Sequence, residues 1–434
     1  MEKISEKNLK RGEILYIIQA ALEYLITILI AGSFLATLTK QLGFSDSLTG
    51  IISSVIALGR LCQLISVSFR KARVKLMVVV LSIVNQLLFL TLYIIPIVDI
   101  SAKLKTVLFI AVIFTAYITY NFAHPKKINW LMSLVDDHHR GEFTANKEMI
   151  SLVAGMVFTY VMGALTDYFA EKGEINTAFM ICAAVIFFFT VLHTFSLVFT
   201  VEKSDAQIAK QSIKKAIIST VSDKNILSIT LIFILYDVST YISTPFYGAY
   251  QINDLGFNLK FVSIITMIGS IVRILVSRTW GRYADRKGFA VMMEKCFWFM
   301  AAGQLCVVFA VPATGKVMFT LYYIFHGIAM GGVNSGLINL VFDNVAPEKR
   351  ADSLAISQSI AGVTGFLSTL AISPAVAYIQ EHGNRLFTLP IYAQQAVSAL
   401  GLVFTAIAII YLKKVMMKKH KGEKKKHLSG TETA

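Results

Sequence analysis

The sequence predicts an all-α membrane protein of 12 transmembrane helices, arranged as two parallel six-helix repeats. Composition, the spacing of apolar segments and the placement of basic residues predict it. The chain has 434 residues, of which 56% are apolar and 15% charged, with a mean hydropathy of +0.65. A soluble domain turns a polar face to water, and this composition leaves too few polar residues for one. A bilayer core of about 30 Å is instead crossed by an apolar helix of about 20 residues.

Apolar segments run at 14–39, 48–67, 76–98, 106–129, 145–170, 175–199, 226–252, 258–277, 290–311, 317–341, 353–379 and 389–412. Each is long enough to span. The first is too long for the roughly 7–15-residue core of a cleavable leader, and no A-x-A-like site follows it. These segments define a first bundle at 1–200, a cytoplasmic linker at 201–224, a second bundle at 225–412 and a basic tail at 413–434. In the linker, Ile208, Ile213, Ile217 and Ile218 alternate with Lys210, Lys214 and Lys215. That pattern suits an amphipathic helix lying on the membrane face and equally a solvated linker. Cys62, Cys182, Cys296 and Cys306 all fall in apolar stretches without metal-ligand spacing, and read as reduced, packed thiols.

With twelve spans, alternate connectors share a side. One side collects 32 lysines and arginines and the other 7, while Arg60 and Arg273 lie inside spans. Basic residues stay on the cytoplasmic side, so both termini are expected there, in a plasma or bacterial inner membrane. The net charge of +15 is therefore a topology signal. Spread over short loops without interleaved aromatics, it does not form a nucleic-acid face.

The two halves repeat. Leu42-Gly43-Phe44 returns as Leu255-Gly256-Phe257, a shift of 213 that also relates Arg60 to Arg273 and Arg73 to Arg286. Further on, at a shift of 210, Asn129 meets Asn339, Val135 meets Val345, Arg140 meets Arg350, Ala145 meets Ala355 and Gly155 meets Gly365. Six helices per half give both halves the same topology, an arrangement known among transporters.

Trp280-Gly281-Arg282-Tyr283-Ala284-Asp285-Arg286-Lys287-Gly288, between the eighth and ninth spans, resembles the G-x-L-A-D-R-x-G motif of the major facilitator superfamily. The stretch from Asn129-Trp130 through Asp136-Asp137 to Arg140-Gly141 resembles that family's charged connector after its fourth helix. Val345-Ala346-Pro347-Glu348-Lys349-Arg350 is similar to its second-half counterpart. The first-half copy of the motif, Ser68-Phe69-Arg70-Lys71-Ala72-Arg73, keeps the cations but lacks the glycine and the aspartate. The resemblance implies a secondary transporter with a conformational gate at Gly281, Asp285, Arg286, Gly288, Arg140, Arg350 and Arg73. Asp285 would cap a neighbouring helix or pair with an arginine in one conformation and release it in another.

Charges at mid-span cost about 2.5–3.5 kcal/mol on insertion scales, so each needs a reason. Glu23-Tyr24 in the first span matches Tyr236-Asp237 in the seventh at the 213 shift, with the order swapped. These acids are candidates to line a central cavity and carry a proton; packed structural acids are the alternative. Arg60 and Arg273 either balance an acid or hold an anionic group of a substrate. Lys126 and Lys127 flank Pro125 with His124. They either snorkel to the cytoplasmic surface or line the cavity. Tyr241 and His326 offer rings with polar tips, suited to stacking and equally to helix packing.

The chain has no P-loop, no HExxH, no nucleophile elbow and no paired-cysteine site, so neither an enzyme nor a direct ATP-driven pump is expected. No cofactor or metal is expected, and a proton gradient is the expected coupling source. The partners expected are a small-molecule substrate and the lipid bilayer, with the protein a monomer. The fifth span has Gly155 and Gly163 without the proline of the family's drug antiporters. This favours uptake or exchange of a metabolite such as a sugar or organic anion over multidrug efflux. A non-transporting sensor would need an extra domain, and only 22 residues follow the last span.

Overall fold

The computed structural model describes residues 6–68, 74–135, 140–202, 222–346, 349–386 and 389–417. Most of the linker, most of the tail and Arg73 lie outside them.

Almost everything described is helix, as it must be where no water satisfies backbone groups. The first half comprises α1 (Glu6–Leu29), α2 (Gly32–Gln41), α3 (Asp46–Ser68), α4 (Val74–Ile94), α5 (Ala102–Met132), α6 (Arg140–Glu171) and α7 (Ile175–Phe199). The second comprises α8 (Lys224–Tyr241), a broken stretch to Asp254, α9 (Leu259–Lys287), α10 (Phe289–Val308), α11 (Gly315–Asn344), α12 (Arg350–Glu381) and α13 (Ala393–Tyr411). Eleven helical segments among the described residues are long and apolar enough to cross a membrane. The 23-residue α3 lies where the remaining span was expected. A two-residue hairpin, Arg385–Leu386 with Leu389–Pro390, links α12 to α13.

Two elements differ from expectation. The first and seventh spans are not continuous helices. The first breaks between α1 and α2, where Gly32 takes φ +52°. The seventh stops at Tyr241, passes through a 3-10 turn at Thr244–Phe246 and widens into a π turn at Tyr250–Asp254. At the 213 shift Gly32 corresponds to Pro245, so the breaks fall at equivalent places. A break frees carbonyls that water cannot reach. The Tyr93 hydroxyl donates to the Leu29 carbonyl at 2.5 Å, and the Thr369 hydroxyl donates to that of Tyr241. The second difference is the expected connector between the eighth and ninth spans, 278–289, which is helical except at Gly288. There φ +90°, a conformation open to glycine, divides α9 from α10.

The repeat shows in the packing of each half. In the first, α1 packs on α6 and α7, and α4 on α5 and α7; in the second, α8 packs on α12 and α13, and α10 on α11 and α13. Tyr24 and Ile28 lie against Gly155, while Asp237 and Tyr241, their equivalents, lie against Gly365. Contacts divide the chain into two compact units: Met1–Ile213 with Pro245–Ile264, and Lys214–Thr244 with Ile265–Ala434. The first has a core around Tyr16, Trp130, Leu131 and Leu197. The second is built on Phe233, Met292, Phe297 and Leu340. Large apolar side chains such as Val157, Met180, Phe188 and Leu275 are exposed, as lipid contact requires.

In the second unit α9 and α11 meet backbone to backbone. A Cβ at Gly327 would lie 2.3 Å from the Gly269 carbonyl oxygen, whereas one at Gly281 would meet nothing within 4 Å. Gly327→Ala is expected to cost about 1–3 kcal/mol by overpacking and to lower the thermal unfolding midpoint in detergent. Gly281→Ala, within a helix, should leave the midpoint unchanged or raise it.

Candidate functional site: a polar cavity in the first unit

Polar side chains inside an apolar bundle have to find each other, and α1, α4, α5 and α7 show where. On α5, Tyr120, His124 and Lys127 are spaced to share one face. Pro125 lies among them and cannot donate to the Asn121 carbonyl. On α4, Ser82, Asn85 and Gln86 share another face. With Glu23 of α1, these seven residues and the apolar Leu81 and Ala123 line a small polar cavity with room for about one water molecule.

The Lys127 ammonium pairs directly with the Glu23 carboxylate. The lysine side chain is 4% exposed and the glutamate 17%, so each charge is balanced by the other within the bundle. Behind the pair lies a second layer of hydrogen bonds. The Gln86 amide nitrogen donates to His193 Nδ1 at 3.0 Å. His193 Nε2 then donates to the Gln19 carbonyl oxygen at 3.2 Å. His193, Gln19 and Gln86 are all buried. An amide nitrogen can only donate, so it sets this tautomer of His193. The same geometry leaves Gln86 Oε1, on a residue lining the cavity, buried with no partner among the described residues. His124 Nδ1 is in the same position. The Asn85 amide is anchored by donating to the Ala116 carbonyl at 2.8 Å. The Tyr120 and His124 rings lie 5.0 Å apart and tilted. Together these groups form a wall of rings and amides around one neutralised charge pair, with unused hydrogen-bonding capacity.

The structure distributes the sequence candidates unevenly. Glu23 is at the cavity, but Tyr24 points to α6. Lys126 is buried beside Met77 Sδ at 3.8 Å and over the Phe122 ring at 5.3 Å. Its neighbour Lys127 is the one at the cavity. Neither lysine snorkels; both are buried. Arg60 is half-buried on α3.

Asp237, on α8 in the second unit, is 3% exposed. The swapped order of the acid–tyrosine pair has a structural consequence. Asp237 takes the position of Tyr24, against Gly365, and Tyr236 takes that of Glu23. Tyr236 stacks on Phe297 at 6.1 Å and reaches Met330 Sδ at 3.5 Å. The two acids therefore occupy non-equivalent faces. Arg273 on α9 lies within electrostatic reach of His326 on α11, whose ring stacks on Tyr322 at 5.4 Å. Tyr241 lies at the end of α8 against Gly365.

The motif residues Gly281, Asp285 and Arg286 are exposed on the final turns of α9, which Gly288 ends. Trp280 anchors this end by donating to the Ile328 carbonyl at 2.8 Å. Arg350 begins α12; its Nε donates to the Val345 carbonyl at 3.0 Å and its guanidinium lies over the Phe342 ring at 5.2 Å. Arg140 begins α6.

Ser82, Asn85, Gln86, Tyr120, Gln19 and His193 were not singled out by the sequence reading. The available signal was amides and a histidine inside spans that are otherwise apolar.

A two-repeat helical bundle with eleven spanning-length helices among the described residues is a multi-pass membrane protein, and its family makes it a transporter. The chain belongs to the Major Facilitator Superfamily, whose sequence profile matches residues 16–369. No curated protein matches it in sequence. Among solved structures it is similar to a mutant of the nucleoside transporter NupG, with a TM-score of 0.71 and 14% identity over 93% of this chain and 99% of that one. It is also similar to a D-xylose–proton symporter, with a TM-score of 0.66 and 14% identity over 94% and 98%. A bacterial homologue of the lysosomal transporter Spinster gives a TM-score of 0.64 at 12% identity over 94% and 95%.

Breaking a buried pair leaves one charge uncompensated, at a cost of about 3–5 kcal/mol. Glu23→Gln and Lys127→Met are each expected to lower unfolding stability in detergent by that order. The double variant should lose less than the sum of the two, as a double-mutant cycle would measure.

Proposed function

We propose that the protein is a proton-coupled secondary transporter that moves a small polar metabolite by alternating access, with the Glu23–Lys127 pair as its coupling element. The observation that carries this reading is the placement of that pair in the wall of a polar cavity. Glu23 has two ways to be stable inside the bundle: paired with Lys127, or protonated. When it takes a proton, Lys127 loses its partner, and an unpaired buried ammonium is costly. A substrate oxygen at Lys127 removes that cost. Proton uptake and substrate binding thus favour each other, the reciprocity that coupled transport needs.

The remaining lining suggests the substrate class. The pair sums to zero charge, the amides and Gln86 Oε1 match hydroxyls, and the Tyr120 and His124 rings offer a stacking face. These features suit an uncharged ring compound such as a sugar or nucleoside once the cavity, water-sized in this conformation, widens. A second reading, an organic anion, is favoured by Lys147, which lies within electrostatic reach of Glu23. The distribution of basic residues supports a cell-membrane protein with both termini in the cytoplasm. The exposed Asp285 and Arg286 of the family motif are proposed to act at the cytoplasmic gate.

The test is uptake into proteoliposomes under an imposed proton gradient, with radiolabelled D-xylose, uridine and succinate as probes. The gradient should drive accumulation of one probe class, accompanied by substrate-dependent proton entry. Glu23→Gln should abolish accumulation while exchange at equal concentrations persists. Gradient-driven accumulation that is unchanged in Glu23→Gln would remove Glu23 from the coupling step.

A further inference from the structure

Asp167 is an acid on α6 that neither the cavity nor the family motif uses. It lies near the end of α6 that the basic-residue distribution places outside the cell. What it touches is the start of α9. The first turn of a helix has backbone N–H groups with no helical partner and the positive end of the helix dipole. Asn258 Oδ1 accepts from the Phe261 N–H at 2.9 Å, a local cap. The Leu259 and Lys260 N–H groups instead donate to the two carboxylate oxygens of Asp167, at 2.9 and 2.6 Å. One carboxylate thus holds a helix start more than 90 residues further along the chain.

The surrounding seam is shaped for this contact. Gly163 lies one turn before Asp167, and a Cβ there would come within 3.0 Å of the Leu259 carbonyl oxygen and 2.7 Å of Ser263 Oγ. One turn earlier again, the Thr159 carbonyl accepts from Ser263 Oγ at 3.0 Å. Positions 159, 163 and 167 therefore meet positions 259 and 263, each set at four-residue spacing. Nearby, Ser33 Oγ donates to Gln251 Oε1 at 2.9 Å, and the Asn253 amide donates to Asp46 at 2.6 Å.

The stretch held in this way, Pro245–Ile264, is second-half sequence by the internal repeat, yet it is part of the first compact unit. It begins at the break in the seventh span. The repeat offers no second copy of the arrangement: at the 210 shift Asp167 corresponds to Ala377, and α3, the counterpart of α9, has a local cap from Ser45 to the Leu48 N–H at 3.2 Å.

We propose that Asp167 is an outer latch: its carboxylate holds the start of α9 in the first unit, and the outer side opens only when that contact is released. The proposal rests on the transporter reading and needs no particular substrate or coupling ion.

The test measures labelling of Ser33→Cys, a buried seam position, by a membrane-impermeant maleimide. The full-length protein is used in right-side-out and inside-out vesicles, with the unsubstituted chain as the blank for its four native thiols. Glu174→Cys, in the exposed turn after α6, reports which face is being read. On the face where Glu174→Cys reacts, Asp167→Ala is expected to raise the Ser33→Cys labelling rate by about tenfold or more, since hydrogen bonds to a charged group are lost. Asp167→Asn should fall between, keeping one acceptor without the charge. Gly163→Ala, which crowds the seam but leaves the carboxylate, should also raise the rate, and it guards against misfolding of the aspartate variants. Unchanged Ser33→Cys labelling in Asp167→Ala and Gly163→Ala, with Glu174→Cys reacting normally, overturns the latch. Reaction of Glu174→Cys only in inside-out vesicles overturns its assignment to the outer side. Labelling that responds to Asp167 while none of the three probes is transported would overturn the proposed substrate classes and leave the latch standing.

Discussion

A lysine and a glutamate buried against each other, Lys127 and Glu23, are the constraint around which the first unit is organised. Neither charge is tolerable alone among apolar helices, and each makes the other possible. Their pairing fixes the approach of α1 to α5 and orients Tyr120 and His124 beside it. The surrounding bundle then has to supply polar company. It does so through Asn85 and Gln86 on α4 and His193 on α7, which are anchored in turn to backbone or to Gln19. A site of this kind is stable when its charges are paired and responsive when one of them is neutralised. The same residues therefore serve both the fold and the proposed coupling.

The second unit is related by sequence repeat but is not a copy at the level of chemistry. The packing pairs correspond, and so do the small residues at Gly155 and Gly365. The exchange of Glu23-Tyr24 for Tyr236-Asp237 turns the acid from the face toward α4 and α5 to the face toward α12. Tyr236 then fills an apolar contact with Phe297 where the first unit has a charge pair. Two halves with the same topology thus place one charge-paired cavity in the first unit and a buried acid against a close helix contact in the second. The contact of Asp167 with the start of α9 and the motif at Asp285 likewise have no second copy among the described residues.

Much of this was legible in the sequence, for identifiable reasons. Twelve apolar segments follow from the requirement to cross a bilayer, the 213 and 210 shifts from a repeat of one half in the other, and the helices lie where these signals put them. Glu23 stood out because an acid in a span is costly. The helix breaks at Ala31-Gly32 and Thr244-Pro245 did not stand out, because hydropathy continues unbroken through them. Of the neighbours Lys126 and Lys127 the sequence put forward Lys126, whereas the packing of α1 against α5 brings Lys127 to Glu23. The motif at Gly281–Gly288 read as a loop because it is charged, yet charge at a helix end is compatible with continued helix.

The central claim is that Glu23 exchanges Lys127 for a proton when substrate binds. Infrared difference spectra of the reconstituted protein, with and without a transported probe, test it most directly through the carboxylic-acid C=O stretch. The account predicts that substrate brings up a protonated-carboxyl band in the unsubstituted protein and that the band is missing in Glu23→Gln. A substrate-bound protein with no such band, or one whose band survives in Glu23→Gln, would contradict it.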